Sequence, residues 1–149
     1  MIKNFFLADD DRDDTDLFGE ALRKIDNRIV FRSAANGKEL IEQLHTAKEK
    51  PEIIFLDINM PELDGWESLK TLKRNENLRE IPVVMYSTSA AFIDGNRAIK
   101  EGAVCYLEKP FSFVKLKDFL QELTHSSKDE LIETLKLIEA SKKHNIVVA

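Results

Sequence analysis

Five carboxylates crowd into six positions between Asp9 and Asp14, interrupted only by Arg12. Like charges this close raise one another's pKa, and a bound cation would offset the repulsion. Other polar residues stand at the ends of three apolar runs. Asp57 follows Ile53–Leu56, Ser87 and Thr88 follow Val83–Tyr86, and Lys109 follows Ala103–Leu107. Such carboxylates suit a hard divalent ion such as Mg2+, which takes oxygen ligands in near-octahedral geometry and keeps several waters. A lysine on one side and a hydroxyl on the other complete an anion pocket. Metal, ammonium and hydroxyl together hold a phosphoryl group, and a carboxylate among them can itself accept it.

These residues need elements that bring them to one place. Ile2–Ala8, Ile29–Ser33, Ile53–Asp57, Val83–Tyr86 and Ala103–Leu107 read as short strands. Helical spacing of apolar residues marks Asp13–Ile25, where Leu17, Phe18, Ala21, Leu22 and Ile25 share a face. A second helix opens at the cap Asn36, with Glu39 three residues on, and runs to about Ala47. Trp66–Arg74, Ala90–Glu101 (ended by Gly102) and Phe113–Leu123 complete the set. Nearly continuous apolar strands separated by helices indicate a parallel sheet covered on both faces. The expected fold is α/β: a doubly wound, five-stranded, flavodoxin-like (βα)5 sheet of strand order 2-1-3-4-5. Its active crevice lies beyond the carboxyl ends of the strands, where Asp9, Asp10, Asp57, Ser87 and Lys109 would converge.

Each residue alone has a plainer role. Acids after a strand commonly decorate a helix N-terminus, the role expected of Asp13 and Asp14. Asp57 alone could be a turn residue, and Lys109 a solvated one. Ser87, Thr88 or Ser89 could cap the fourth helix. Their joint placement at the ends of separate strands favours the site.

The 149 residues suit a single domain with one real core. A formal charge of −5 disfavours nucleic acid and anionic membranes, which reward basic patches. No apolar run approaches the ~20 residues that span a bilayer, and no cleavable leader is evident. A soluble, cytoplasmic protein is expected. Cys105, the single cysteine, sits in an apolar run and reads as core filler.

The stretches "LADDD", "IIFLDINMPELDGWE", "IPVVMYSTSA" and "GAVCYLEKPF" resemble, in order and spacing, the receiver domains of two-component response regulators. The likeness covers residues 2 to about 124. It implies that Asp57 is the phosphoacceptor, served by a phosphohistidine on a sensor histidine kinase or histidine phosphotransfer protein. It implies that Asp10 ligates Mg2+ (or Mn2+) directly, Asp9 mainly through water, and Asn59 through its backbone carbonyl, beside Asp57. The alternative register, Asp10 with Asp11, is disfavoured because the apolar run stops at Ala8. Lys109 matches the lysine that contacts the phosphoryl group, and Pro110 a proline usually preceded by a cis bond. Ser87 and Tyr106 match the switch pair that alters the surface of the fourth helix, fifth strand and fifth helix.

Residues 1–124 would then be the receiver and 125–149 a helical extension, not an independent domain. Ser127 to Glu130 reads as a capping box, and Leu131, Leu135 and Ile138 share a face. That helix either folds back on its own domain, the favoured reading, or serves a homodimer or partner contact. Ile146-Val147-Val148 is open between docking and disorder. The extension is too short for a DNA-binding domain with its own core. A single-domain regulator that acts by docking follows, with no substrate turnover and its downstream target unidentified. The alternative is a degenerate receiver that binds without being phosphorylated. An aspartyl phosphohydrolase fits less well, because Asn59 stands where its second aspartate belongs. A nucleotide binder would need a glycine- or hydroxyl-rich loop where this chain places aspartates.

Overall fold

The computed structural model describes residues 1–88 and 92–149, with Phe92 and Ile93 described by backbone alone. The elements run β1 (Asn4–Ala8), α1 (Arg12–Ile25), β2 (Val30–Ala34), α2 (Gly37–Thr46), β3 (Ile53–Leu56) and α3 (Gly65–Arg74). They continue with β4 (Val83–Ser87), α4 (Phe92–Lys100), β5 (Cys105–Glu108), α5 (Phe113–Thr124), α6 (Leu131–Ser141) and β6 (Ile146–Val148). The sheet order is β2-β1-β3-β4-β5-β6. The first five strands are parallel, in the order expected.

The sixth strand departs from the five-stranded expectation. β6 pairs antiparallel with β5, setting Val147 opposite Tyr106. Three apolar residues are too few to show a period, but β5 would otherwise be an open edge, and an open edge is a template for pairing. On the outer side of β6, the Val148 N–H donates to the Glu139 carboxylate of α6 at 3.0 Å.

Alternation along the strands sends side chains to two cores. Phe5, Leu7, Ile53, Phe55, Val84, Tyr86, Cys105 and Leu107 join one with α1 and α5. Phe6, Ala8, Ile54, Leu56, Val83, Met85 and Tyr106 join the other, with α2, α3 and Ala98 of α4. Each fully buried Phe or Leu contributes about 1.5–3 kcal/mol. In the first core Phe18 of α1 meets Phe55 and Tyr86 edge-on, with centroids 4.9 and 5.9 Å apart. Leu131, Leu135 and Ile138 are buried in that same core. The last helix therefore folds back on its own domain.

Helix starts follow their caps. Asp11, Asn36, Asp64 and Ser112 each accept from a backbone N–H of the first turn. Half of the expected capping box at α6 forms: Ser127 Oγ accepts from the Glu130 N–H at 3.3 Å, and regular helix begins at Leu131. The expected start of the fourth helix at Ala90, and Ser89 as its cap, lie outside the described residues. The Lys109–Pro110 bond is trans, since no cis peptide occurs among the described residues. Trans is the ordinary state of an X–Pro bond, favoured by about 0.5–1 kcal/mol.

Candidate functional site

Register aligns the strand ends. Ala8 lies opposite both Ala34 and Leu56, and Ser87 opposite Glu108. Asp9, Asp57 and Lys109 each follow directly on a strand, so they emerge side by side. Backbone bonds hold the exits: Asp9 N–H to Ala34 O at 3.0 Å, Asp57 N–H to Ala8 O at 2.9 Å, and Lys109 N–H to Ser87 O at 2.7 Å. The loop after β3 folds back through a Gly65 N–H bond to Ile58 O at 2.8 Å. A Cβ on Gly65 would stand 2.3 Å from the Asp57 carbonyl oxygen, so only glycine fits.

Asp9 and Asp57 are buried, Asp57 to 6% exposure, and Asp10 is exposed. One carboxylate oxygen from each of these three lies within 4.8 Å of the others. Lys109 Nζ donates to Asp9 Oδ2 at 2.7 Å and to Asp14 Oδ2 at 2.8 Å, and stands 3.7 Å from Asp57 Oδ2. Its ammonium also rests 5.4 Å from the Tyr86 ring centroid. Burial pushes the Asp57 carboxyl up to about 7, and the Asp9 charge adds to that while Lys109 opposes it. Burial alone would lower the Lys109 ammonium. Its hydrogen bonds to Asp14 and Asp9 outweigh burial and hold it above the ordinary lysine value.

The arrangement is an unbalanced charge cluster, with one ammonium facing four carboxylates. Burial first, and the imbalance after it, make Asp57 favour its protonated form. A hard divalent cation restores the balance without a proton, so three oxygen donors at this spacing fit Mg2+ or Mn2+. Asp9, Asp10 and Asp57 would hold it.

Ser87 is buried at the end of β4 and Thr88 next to it is exposed. Asn59 is exposed in the bend after Asp57. Tyr106 is buried in the second core, on the opposite face of the sheet from Tyr86. Two participants escaped the sequence reading. Asp14 is more than a helix-end acid, since it anchors Lys109. Its signal was its place in the first turn of α1, the turn that begins at the strand ends. Tyr86 read only as a strand residue, and alternation alone could have put it beneath Lys109.

The sequence pattern of the response regulator receiver domain matches residues 5–121. The chain belongs to the response regulator receiver family. Among similar receivers, the polar-differentiation response regulator DivK of Brucella ovis is 30% identical over 113 residues, 75% of this chain and 88% of DivK. The probable methanogenesis regulatory protein FilR2 of Methanothrix harundinacea is 37% identical over 92 residues, 59% of this chain. The chain spans 59% of FilR2, and 32% of a protein-glutamate methylesterase of Methanococcoides burtonii to which it is 33% identical. The phosphorylated cyanobacterial phytochrome response regulator RcpA superposes with a TM-score of 0.76 at 28% identity, covering 84% of this receiver and 93% of RcpA. The Mn2+-bound form of response regulator Rcp1 gives 0.68 at 28%, covering 80% and 91%. The receiver has no described helix long and apolar enough to cross a membrane.

Proposed function

We propose that this receiver takes a phosphoryl group onto Asp57 from a phosphohistidine of a sensor histidine kinase or histidine phosphotransfer protein in the cytoplasm. A carboxylate oxygen of Asp57 forms the O–P bond as the N–P bond breaks, and the leaving imidazole keeps the electron pair. Bound Mg2+, held by Asp9, Asp10, Asp57 and the Asn59 carbonyl, supplies charge neutralisation at the phosphoryl oxygens. Lys109 supplies the second cation, and must exchange part of its contact with Asp9 and Asp14 for the incoming oxygens. Burial excludes water from Asp57 and keeps its competing proton close at neutral pH. The protein turns over no substrate beyond its own phosphorylation and dephosphorylation.

The convergence of Asp9, Asp10 and Asp57 within 4.8 Å, with Lys109 3.7 Å from Asp57, carries this reading. The output is a population shift. Ser87 moves toward the phosphoryl group, Tyr106 repacks in the second core, and the surface of α4, β5 and α5 changes for a downstream protein. Residues 1–124 act as the receiver and 125–149 as an extension built onto its core. β6 lies along the responding face: a Cβ on Gly95 of α4 would meet Val147 Cγ2 at 2.8 Å. Intact mass after incubation with acetyl phosphate and Mg2+ tests the proposal. One phosphoryl adduct is expected, dependent on the metal and missing from Asp57→Ala. A chain that stays unmodified and takes up no metal is a degenerate receiver.

A further inference from the structure

Beside the acidic cluster a second cavity of about 190 Å3 opens between the β5–α5 connection and the turn joining α6 to β6. Apart from Lys109, phosphoryl transfer to Asp57 leaves its lining unused. Its lining holds four lysines, Lys109, Lys115, Lys142 and Lys143, in a chain of net charge −5. Lys109 is turned toward Asp9 and Asp14, so the outward charge comes from the other three, all exposed. The one acid in the lining, Glu108, is occupied by a hydrogen bond from Asn145 Nδ2. Phe111 stands in the same wall at 92% exposure.

Lys142 ends α6 and stands with Lys143 and Lys115 in one lining. Lys115 and Lys143 both act on His144 in the same direction, lowering its pKa, so their positive fields add in this wall, where an acidic ligand would be favoured. On the opposite flank of Asp57 the polarity reverses, because a cavity of about 360 Å3 there is lined by Asp9, Asp10, Asp16 and Glu39 with Arg12. The rim of the site is basic on one side and acidic on the other.

We propose that the lysine cavity seats an acidic segment of the phosphodonor protein, with an apolar side chain of that segment against Phe111. The inference rests on the receiver reading above and deepens it. The cavity shares Lys109 with the transfer site, and Pro110 and Phe111 follow it in the chain, so its occupant lies beside the reacting groups. A free inorganic anion would use the lysines and ignore the phenyl ring. Complementary charge raises the encounter rate and sets orientation. The donor's acidic side therefore faces α5 and the α6–β6 turn, and the extension selects the partner.

The test titrates an end-blocked Glu-Glu-Phe-Glu-Glu peptide into the isotope-labelled full chain and follows backbone amides. Shifts are expected at 109–115 and 142–145. Lys142→Glu/Lys143→Glu weakens binding about tenfold, the equivalent of about 1.4 kcal/mol. The charge-matched Lys70→Glu/Lys100→Glu, on the exposed sides of α3 and α4, leaves it within about twofold. Lys115→Glu, on the intact α5, reads the same wall if the first variant loosens the extension. Equal weakening by both double variants overturns the inference, as does inorganic phosphate moving the same amides as strongly as the peptide. Acetyl phosphate labelling of the same samples separates the two readings. An adduct on Asp57 without peptide binding sinks the docking cavity alone; binding without an adduct sinks the phosphoacceptor, and with it the phosphodonor as occupant of a cavity that still takes acidic peptide.

Discussion

Asp14 Oδ2 accepts a 2.8 Å hydrogen bond from Lys109 Nζ, tying the first turn of α1 to the end of β5 across 95 residues. This bond divides the lysine. Nζ sits 2.7 Å from Asp9 but 3.7 Å from Asp57, the proposed phosphoacceptor, so of the three carboxylates it pairs with, Asp57 is the one it serves least. Burial, with the Asp9 charge adding to it and Lys109 opposing only in part, lets Asp57 favour its proton up to about pH 7. The site is thus poised: a phosphoryl group can claim Lys109, and a cation can claim Asp9, only by displacing contacts already made.

Removing one anchor tests that division. Asp14→Asn should keep the fold, and should change the rate of adduct formation from acetyl phosphate by less than about tenfold, because Asp9 still positions the lysine. Lys109→Ala removes the cation itself and should slow the reaction more. Time-resolved intact mass measures both.

Asp57→Asn should stabilise the protein in the absence of divalent ions, by about 1–3 kcal/mol at neutral pH. The folded chain holds the Asp57 proton to about 7 and the unfolded chain to 3.8. Between those values the native state binds more protons, so this group's contribution to stability falls as pH rises. Urea unfolding across pH 4 to 7 should show that decline in the wild type and less of it in the variant. Saturating Mg2+ should shrink the difference at pH 7.

His144 links the α6–β6 turn to α5 and should make the extension acid-sensitive. Burial lowers its pKa from 6.5; Asp118, 4.0 Å away, and Glu122 oppose this, while Lys115 and Lys143 reinforce it. The ring packs edge-on against Phe119, with centroids 5.4 Å apart. The unfolded segment takes a proton below 6.5 while the docked one resists, so docking is complete above that value and weakens as pH falls. Protection at the Glu108 and Ala149 amides, whose N–H groups bond Asn145 O and Val104 O, should fall in acid once exchange is referred to the intrinsic rate at each pH. In His144→Phe that loss of protection should disappear.

Gly95→Ala should loosen β6 while helping α4. Its new Cβ would fall 2.8 Å from Val147 Cγ2, whereas Ala in a helix gains about 1 kcal/mol over Gly. Exchange should rise at the Ala149 amide and stay unchanged in β1 and β3. Val147→Ala in the same chain should restore protection. Failure of that rescue would show that the contact does not set the docking of β6.

Much of this receiver was determined by local sequence. Apolar runs such as Ile53–Leu56 and the helical spacing of Leu17, Phe18, Ala21 and Leu22 specify elements through contacts with near neighbours. The parallel order then puts Asp9, Asp57, Ser87 and Lys109 together at the carboxyl ends of the strands. Caps were equally legible, because Asn36 and Glu39 satisfy backbone groups within one turn. Pairings made at long range were hidden. Asp14 looked like a helix-end acid because its partner lies 95 residues away, and a three-residue strand has no period to read until β5 offers it an edge. The lysine cavity is the same case: Lys115 and Lys142 are ordinary surface residues in sequence, and only the return of α6 over the first core brings them together. Local periodicity decides which elements form; the distribution of charge among groups far apart in the chain is decided by packing.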